Sequence, residues 1–416
     1  MYAQKILRLP DAVNMALQSS LDIQLAQNHI AQDSINNNKG VAGGLPLLTA
    51  NIADNEQVSS VNQKLNSGAN INRNNAASNA LSAGITGSIL LYNGGRVVAS
   101  KKRLAQLETQ SRQLLTSQVQ EVIASVMIGY YDIVRQQEYL KTIDRSIDAS
   151  NQQLQMIKVR QSVGLANNAD LFQAQIDLSN LQQAKLAQQL VISQAKTELL
   201  RMLTANPDSS IEIKDSIEVD KNIMLADILN GLSNNPDIIA ADNQIKISEY
   251  IVKETEALRY PSIRATTGYN FIRNKTAAGN ILLNQNYGPT VGLSIGIPIY
   301  NGSVYKRQKQ VAQLDVQNAG LQKQILIRDY NANAVKQYQA YTISIHQLDS
   351  AVAAYGIAEK LLQLTLMRFD LRQATIVEVR NAQQSFEESG YRLVNINFSA
   401  KTAEIALKRM ANLLKL

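Results

Sequence analysis

Residue types that do chemistry are sparse in this sequence, and their spacing builds no catalytic centre. His29 and His346 are its two histidines. They lie far outside the short spacing of a zinc-binding pair, and each reads as a polar residue on a helix. No phosphate-binding glycine loop, nucleophile elbow or dinucleotide fingerprint occurs. There are no cysteines, hence no disulfide framework, thiolate metal site or lipid-bearing cysteine. Asn274-Lys275-Thr276 satisfies the glycosylation pattern and reads as coincidence. No enzyme, no metal and no cofactor is expected.

Charge is the next candidate. Lys and Arg number 41 against 34 Asp and Glu, a net +7. The basic residues are scattered and poorly interleaved with aromatics, so they read as a solvated helical surface, with no nucleic-acid partner. The 416 residues include no Trp, five Phe and seven Pro. Long stretches rich in Gln, Ala, Leu, Ser and Asn suit long helices with narrow apolar seams. No run of 18 apolar residues occurs, which excludes a transmembrane helix. A barrel strand, needing only about 9–11 alternating residues, stays open.

What must position any functional residue is a unit present twice. Leu90-Leu91-Tyr92-Asn93-Gly94 returns as Pro298-Ile299-Tyr300-Asn301-Gly302, an offset of 208. The same offset relates Tyr130 to Tyr338, Arg160 to Arg368, Ala174 to Ala382 and Arg201-Met202 to Arg409-Met410. Upstream the offset is 215, matching Leu17 to Leu232, Asp22-Ile23 to Asp237-Ile238 and Pro46 to Pro261. The seven extra residues fall between Pro46 and Tyr92, where Asn62–Asn79 reads as a polar loop.

Each unit reads helix, strand, loop, strand, very long helix, tight turn, helix. The first repeat, 1–203, holds a helix over 10–40, opened by Pro10, strands 47–58 and 82–92, a long helix 96–161 and a helix 169–203. A linker spans 204–222, with a short strand expected at Ile211–Val219. The second repeat, 223–416, holds a helix 225–257, strands 262–273 and 289–300, a long helix 303–370 and a helix 375–414. In the strands Val291, Leu293, Ile295, Ile297 and Ile299 alternate with Gly292, Ser294 and Gly296, and Tyr269 and Phe271 alternate with Gly268 and Asn270. Small or polar residues on the second face suit a water-filled lumen. The first long helix carries a heptad seam that includes Val122, Val126, Gly129, Ile133, Ile143, Ser150, Leu154 and Ile157. At 1.5 Å per residue such a helix reaches roughly 100 Å.

Four strands cannot close a membrane barrel, since the smallest bacterial ones have about eight. Open edges are not tolerated in hydrocarbon, so strands entering a membrane must be pooled from several chains. A soluble coiled-coil scaffold, with the hairpins as packing elements, is the competing reading.

The duplicated unit, the Tyr-Asn-Gly close of the strand, and an Arg-x-x-x-Gly turn followed by an acidic residue resemble the TolC family of outer-membrane factors. The resemblance runs from Leu7 to about Leu414. It implies a mainly α fold with a small β part, assembled as a homotrimer with a 12-stranded β-barrel continued by a 12-helix α-barrel. It further implies a passive exit duct for efflux or type I secretion, in the bacterial outer membrane and periplasm. Its partners would be a periplasmic adaptor, an inner-membrane pump or exporter, and outer-membrane lipid. Export implies a leader removed ahead of the mature chain, with Met1 in its place.

The resemblance also points to sites. The turns Arg160-Gln161-Ser162-Val163-Gly164-Leu165 and Arg368-Phe369-Asp370-Leu371-Arg372-Gln373 correspond to adaptor-contacting tips. Just past them, Asp170 and Gln173 in the first copy and Glu378, Arg380 and Asn381 in the second correspond to the periplasmic aperture. A ring of three Glu378 carboxylates would bind cations and raise one another's pKa, or Arg380 would latch the mouth by ion pairs between subunits. Arg372 replaces the turn glycine, so the second tip is expected to depart from the family turn. Tyr269, Phe271, Val291, Leu293, Ile295 and Ile297 are expected to face lipid.

Overall fold

The structure is a computed structural model that describes residues 5–414. Along the chain run β1 (Lys5–Ile6), α1 (Leu9–Ser19), α2 (Leu21–Asn36), β2 (Leu47–Lys64), β3 (Asn70–Asn93), α3 (Arg96–Ser162), α4 (Asn168–Met202) and β4 (Ile211–Glu212). There follow α5 (Leu225–Gly231), α6 (Pro236–Ala257), β5 (Ser262–Thr276), β6 (Leu283–Gly296), α7 (Val304–Asp370) and α8 (Ile376–Met410). The protein is mainly helical with one substantial sheet. It divides into two compact units. One holds the residues up to His29, Arg112–Ala240 and those from Lys323; the other holds Ile30–Ser111 and Ala241–Gln322.

The helix expected over 10–40 is two helices. The chain turns extended at Ser20 (φ −57°, ψ 123°), whose Oγ then accepts the Ile23 N–H at 3.4 Å and caps α2. The helix expected over 225–257 is likewise interrupted by a 3₁₀ turn, Leu232–Asn234. Pro236 drives Asn235 out of the helical region (φ −66°, ψ 124°). The linker strand is only two residues long, pairing Ile211 and Glu212 with Lys5 and Ile6 in parallel.

Three apolar clusters hold the helical unit. The first gathers Val13, Val126, Tyr130, Ile133, Leu199, Leu203 and Ile405. Here Tyr130 Oη donates to Leu7 O (2.9 Å) and Asp215 Oδ2 (2.5 Å), and burial first, then Asp215, push its pKa up. The second gathers Leu154, Ile157, Leu366, Phe369, Val379 and Phe386, and the third Ile228, Leu232, Tyr341, Leu407 and Met410. Between the first two, α3 buries polar Thr142 and Ser146 beside Ile143, and Ser150 and Gln153 are buried within the second. Gln383 of α8 donates to Ser146 O at 3.0 Å. Gly390 lets α8 approach closely, since a Cβ there would lie 2.6 Å from Thr142 Cγ2. On its other side α3 meets α4, where Gln188 donates to Gln136 O at 3.1 Å and Lys185 pairs with Asp144 at 2.8 Å.

The linker is pinned by an ion network centred on the buried Lys401–Glu404 pair. Lys401 Nζ donates to Glu404 (3.0 Å) and Glu218 O (2.8 Å), and Lys408 bridges Glu404 (2.8 Å) and Asp220 (3.0 Å). The Asp220 N–H donates to Glu404 Oε2 at 3.0 Å. Donation from Lys408 and from the Asn222 N–H holds the Asp220 carboxyl below the usual carboxylate range.

In the second unit, the sheet is antiparallel in the order β2-β3-β5-β6. The strands expected at 47–58 and 82–92 are longer, and Asn62–Asn79 is largely ribbon. Beyond a bulge between Ser59 and Val61 the pairing continues to Lys64↔Asn70. Cross-strand hydrogen bonding carries this polar stretch against its loop-like composition. The last strand is 283–296 in place of 289–300: Pro298 offers no N–H to a ladder. Ile297 is thereby outside the strand, although it continues the alternation and is exposed.

Candidate functional site

The two helix turns are built alike. At the first, Leu165 N–H donates to Arg160 O (2.7 Å) and Gly164 N–H to Gln161 O (2.9 Å). At the second, Gln373 N–H donates to Arg368 O (2.7 Å) and Arg372 N–H to Phe369 O (3.1 Å). Gly164 has φ +76° and Arg372 φ +63°, so the arginine does adopt the glycine turn, contrary to expectation. The six-residue closure satisfies helix-end carbonyls strongly enough to hold a non-glycine residue left-handed. Arg372→Gly is expected to stabilise the chain by about 1 kcal/mol, read as a higher denaturant midpoint of the purified protein; an unchanged or lower midpoint would refute the strain.

Arg160 ties the tips together. Its guanidinium donates to Phe369 O and, at 3.0 Å, to Asp370 O, and it lies 4.4 Å from the Phe369 ring centroid. A cation at the C-terminal carbonyls of α7 complements the helix dipole. Arg368 stays local, donating to Gln373 O at 2.8 Å. Val163, Leu165 and Leu371 are exposed apolar residues at the turns.

Glu378 sits in a capping box that sequence reading missed. Thr375 Oγ accepts the Glu378 N–H at 3.2 Å, while Glu378 Oε2 accepts the Thr375 N–H (2.6 Å) and Oγ–H (3.0 Å). The spacing Thr375-Ile376-Val377-Glu378 carries the signal. Hydrogen bonding from the Thr375 backbone, then from its hydroxyl, holds the carboxyl below the usual range. Within one chain the shift is thus downward. Acidification removes this cap only once pH falls through that lowered value.

The other aperture residues are less committed. Asp170 N–H is capped by Asn167 Oδ1 at 2.8 Å, and Gln173 donates to Asp177 at 2.8 Å. Asn381 shares the side of α8 with Glu378, whereas Arg380 lies about 200° around the helix from it. The two therefore cannot pair with each other within the chain. Arg380 is exposed.

The sheet sorts its residues by face. Cross-strand pairs Ile263↔Ile295, Ala265↔Leu293, Thr267↔Val291, Tyr269↔Pro289 and Phe271↔Tyr287 share one face, continued by Ile85 and Ile89 on β3 and Ile52 on β2. Val291 is 87% exposed, and Tyr269, Leu293 and Ile295 are exposed as well. The opposite face pairs Ser88, Thr266 and Gly292; Thr86, Gly268 and Thr290; and Gly84, Asn270 and Gly288. Past Phe271 the apolar face ends in Asp54, Glu56, Asn79 and Arg273, where Asn79 bridges both carboxylates at 2.5 and 2.8 Å.

Tips, long helices and a two-faced sheet define a channel-wall protein, and comparison with known proteins agrees. The model of the outer membrane efflux protein family matches residues 12–205 and again 229–413. The chain belongs to that family. Outer membrane protein TolC of Vibrio cholerae is 24% identical over 367 residues, 83% of this chain and 80% of that protein. Outer membrane efflux protein BepC of Brucella suis is 22% identical over 330 residues, 78% of this chain and 70% of its own. The fold matches the crystal structure of the outer membrane protein VceC from Vibrio cholerae, with TM-score 0.77 at 17% identity, covering 97% of this chain and 95% of that one. It also matches the Campylobacter jejuni CmeC outer membrane channel, with TM-score 0.78 at 16% identity, covering 97% and 85%.

Proposed function

We propose that three copies of this chain form a passive outer-membrane exit duct for efflux or secretion, served by a periplasmic adaptor and an inner-membrane pump. The observation that carries this reading is the two-faced sheet with free edges. Strands β2 and β6 each pair on one side only, and three such sheets make a closed twelve-stranded barrel without edges. The apolar rows from Ile263 to Phe271 extend about 30 Å along the strand, or roughly 23 Å in height at barrel tilt, close to a membrane barrel's band of about 25 Å. Tyr269, Phe271, Val291, Leu293 and Ile295 meet lipid in this arrangement, and the Gly, Ser and Thr face lines water.

The helical unit supports a ring as well. Within one chain α3 packs against both α4 and α8, and α8 against α7 through Tyr355 and Phe386, with ring centroids 5.1 Å apart. The outermost helices each expose an apolar stripe at heptad spacing, Phe172, Ile176, Leu186 and Leu190 on α4 and Ile343, Ile357, Leu361 and Leu364 on α7. Unlike stripes on opposite edges make a heterologous contact that closes on rotation. Twelve helices from three chains then form the wall. The doubled element order and the two family matches support descent by internal duplication.

Val163, Leu165 and Leu371, with Arg160, Gly164, Arg368 and Arg372 shaping the turns, form the adaptor-contacting tips. Glu378, Arg380, Asn381, Asp170 and Gln173 line the periplasmic aperture, with Arg380 reaching a neighbouring chain. Membrane fractionation tests the duct: a detergent-dependent, heat-modifiable trimer is expected, and a detergent-free soluble dimer would overturn it. For the aperture, Glu378→Gln with Arg380→Gln keeps a capping side chain while removing both charges. Single-channel conductance should rise; an unchanged value removes the aperture assignment.

A further inference from the structure

The sheet unit carries an uncompensated positive field. No Asp or Glu occurs from 57 to 107 or from 257 to 314, while the two stretches hold thirteen Lys and Arg. Two carboxylates just ahead of the second stretch are already engaged, Glu254 with Arg103 at 2.7 Å and Glu256 with Lys309 at 2.7 Å. Across the four-stranded part of the Gly, Ser and Thr face, Arg264 is the one charged side chain. Its neighbours across the strands are Leu90 and Ser294.

At the base of that face lies a cavity of ≈ 470 Å³ lined by Asn93, Arg96, Tyr260, Ser262, Arg264 and Tyr305, among others. Arg264 makes one long contact, 3.5 Å to Ser88 Oγ, and Arg96, the first residue of α3, stands exposed at the same cavity. Asn93, which also lines the cavity, accepts the Val97 N–H on its Oδ1 at 3.3 Å, and its amide NH₂ is a further donor type in the lining. Two guanidiniums with hydroxyl and amide donors, and no carboxylate, form a lining that binds oxyanions: the planar fork matches phosphate and carboxylate.

We propose that Arg96 and Arg264 form an anion-binding station in the wall of the duct, taking phosphate- or carboxylate-bearing solutes. This rests on the reading of the small-residue face as lumen. A fixed cation in a lumen without counter-charge attracts anions and repels cations, as a ring of Arg or Lys does in anion pores. Anionic cargo then meets a favourable step at the base of the sheet.

The test is reversal potential in planar bilayers under a KCl gradient, using the full-length protein and Arg96→Gln/Arg264→Gln. At about 0.1 M salt, where screening acts over about 10 Å, the double variant should lose about twofold or more of its chloride-over-potassium permeability. The difference should shrink near 1 M, where the screening length is about 3 Å. Millimolar inorganic phosphate should depress chloride current through the wild type and not through the variant. Lys64→Gln, near the end of β2, should leave the reversal potential unchanged. An unaltered reversal potential in a conducting double variant overturns the station, as does an equal shift in Lys64→Gln. Absence of current in every form instead strikes the duct reading beneath it.

Discussion

Glu404→Ala is expected to cost about 3–5 kcal/mol, because it leaves a buried ammonium without its carboxylate. Lys401 and Glu404 side chains are only 9% and 4% exposed. With Glu404 gone, Lys401 retains Glu218 O and the Tyr131 ring, whose centroid lies 5.2 Å away. The same change removes one of the two anions held by Lys408 and the acceptor for the Asp220 N–H. The linker residues therefore loosen along with the helix. The reverse substitution is milder. Lys401→Met leaves Glu404 with Lys408 and the Asp220 N–H, at a cost of about 1–2 kcal/mol. Denaturant midpoints of the detergent-solubilised protein read both, and limited proteolysis within 204–222 reads the loosening. Equal costs for the two variants would show that the pair is not desolvated as described. Acidification has its own sign here. Asp220 is held below its usual range, so its contribution persists at mildly acidic pH and disappears as pH falls through the lowered value.

Phe386→Ala is expected to cost a further independent 3–5 kcal/mol, about the value for emptying a fully packed aromatic site. Phe386 is 1% exposed. It stacks on Tyr355 of α7 and belongs to the cluster that binds α3, α7 and α8 near the turns. Phe386→Leu should cost much less, since a branched apolar side chain refills most of the volume. The loss should also be local. Buried polar Thr142 and Ser146 lie on α3 between this cluster and the one around Tyr130, so less apolar packing passes damage between them. Hydrogen exchange should accelerate over 150–175 and 366–386 while protection around Tyr130 and Leu199 holds. Uniform acceleration across both clusters would show a single cooperative core.

How much of this was legible varied with the range of the interaction. Heptad spacing from Val122 to Ile157 marks the α3 seam, and Val126, Ile133 and Ile157 on it are buried. Tyr130, Tyr131 and Val134 beside it are buried too and broaden the contact beyond a single seam. Strand alternation at Tyr269–Phe271 and Val291–Ile295 marks the apolar face. Both are period signals, carried by residues a few positions apart. The ribbon through Asn62–Asn79 left no such signal, because its strand character comes from pairing with a partner strand. Ile297 misled for the opposite reason. Its alternation continues although Pro298 has ended the ladder.

The candidate site divides the same way. The sequence by itself determined the 208-residue register and the places of the two paired turns. Thr375 and Glu378 also advertised their capping box in four residues. Only the tertiary structure decided that Arg372 takes a left-handed turn, that Arg160 reaches Phe369 across the tips, and that Lys401 and Glu404 are buried together. It also decided that Arg96 and Arg264, 168 residues apart in the chain, share one cavity. Local backbone preference and side-chain period are written along the chain. The partners that desolvate a charge, or compensate a strained φ, are chosen by packing between distant segments.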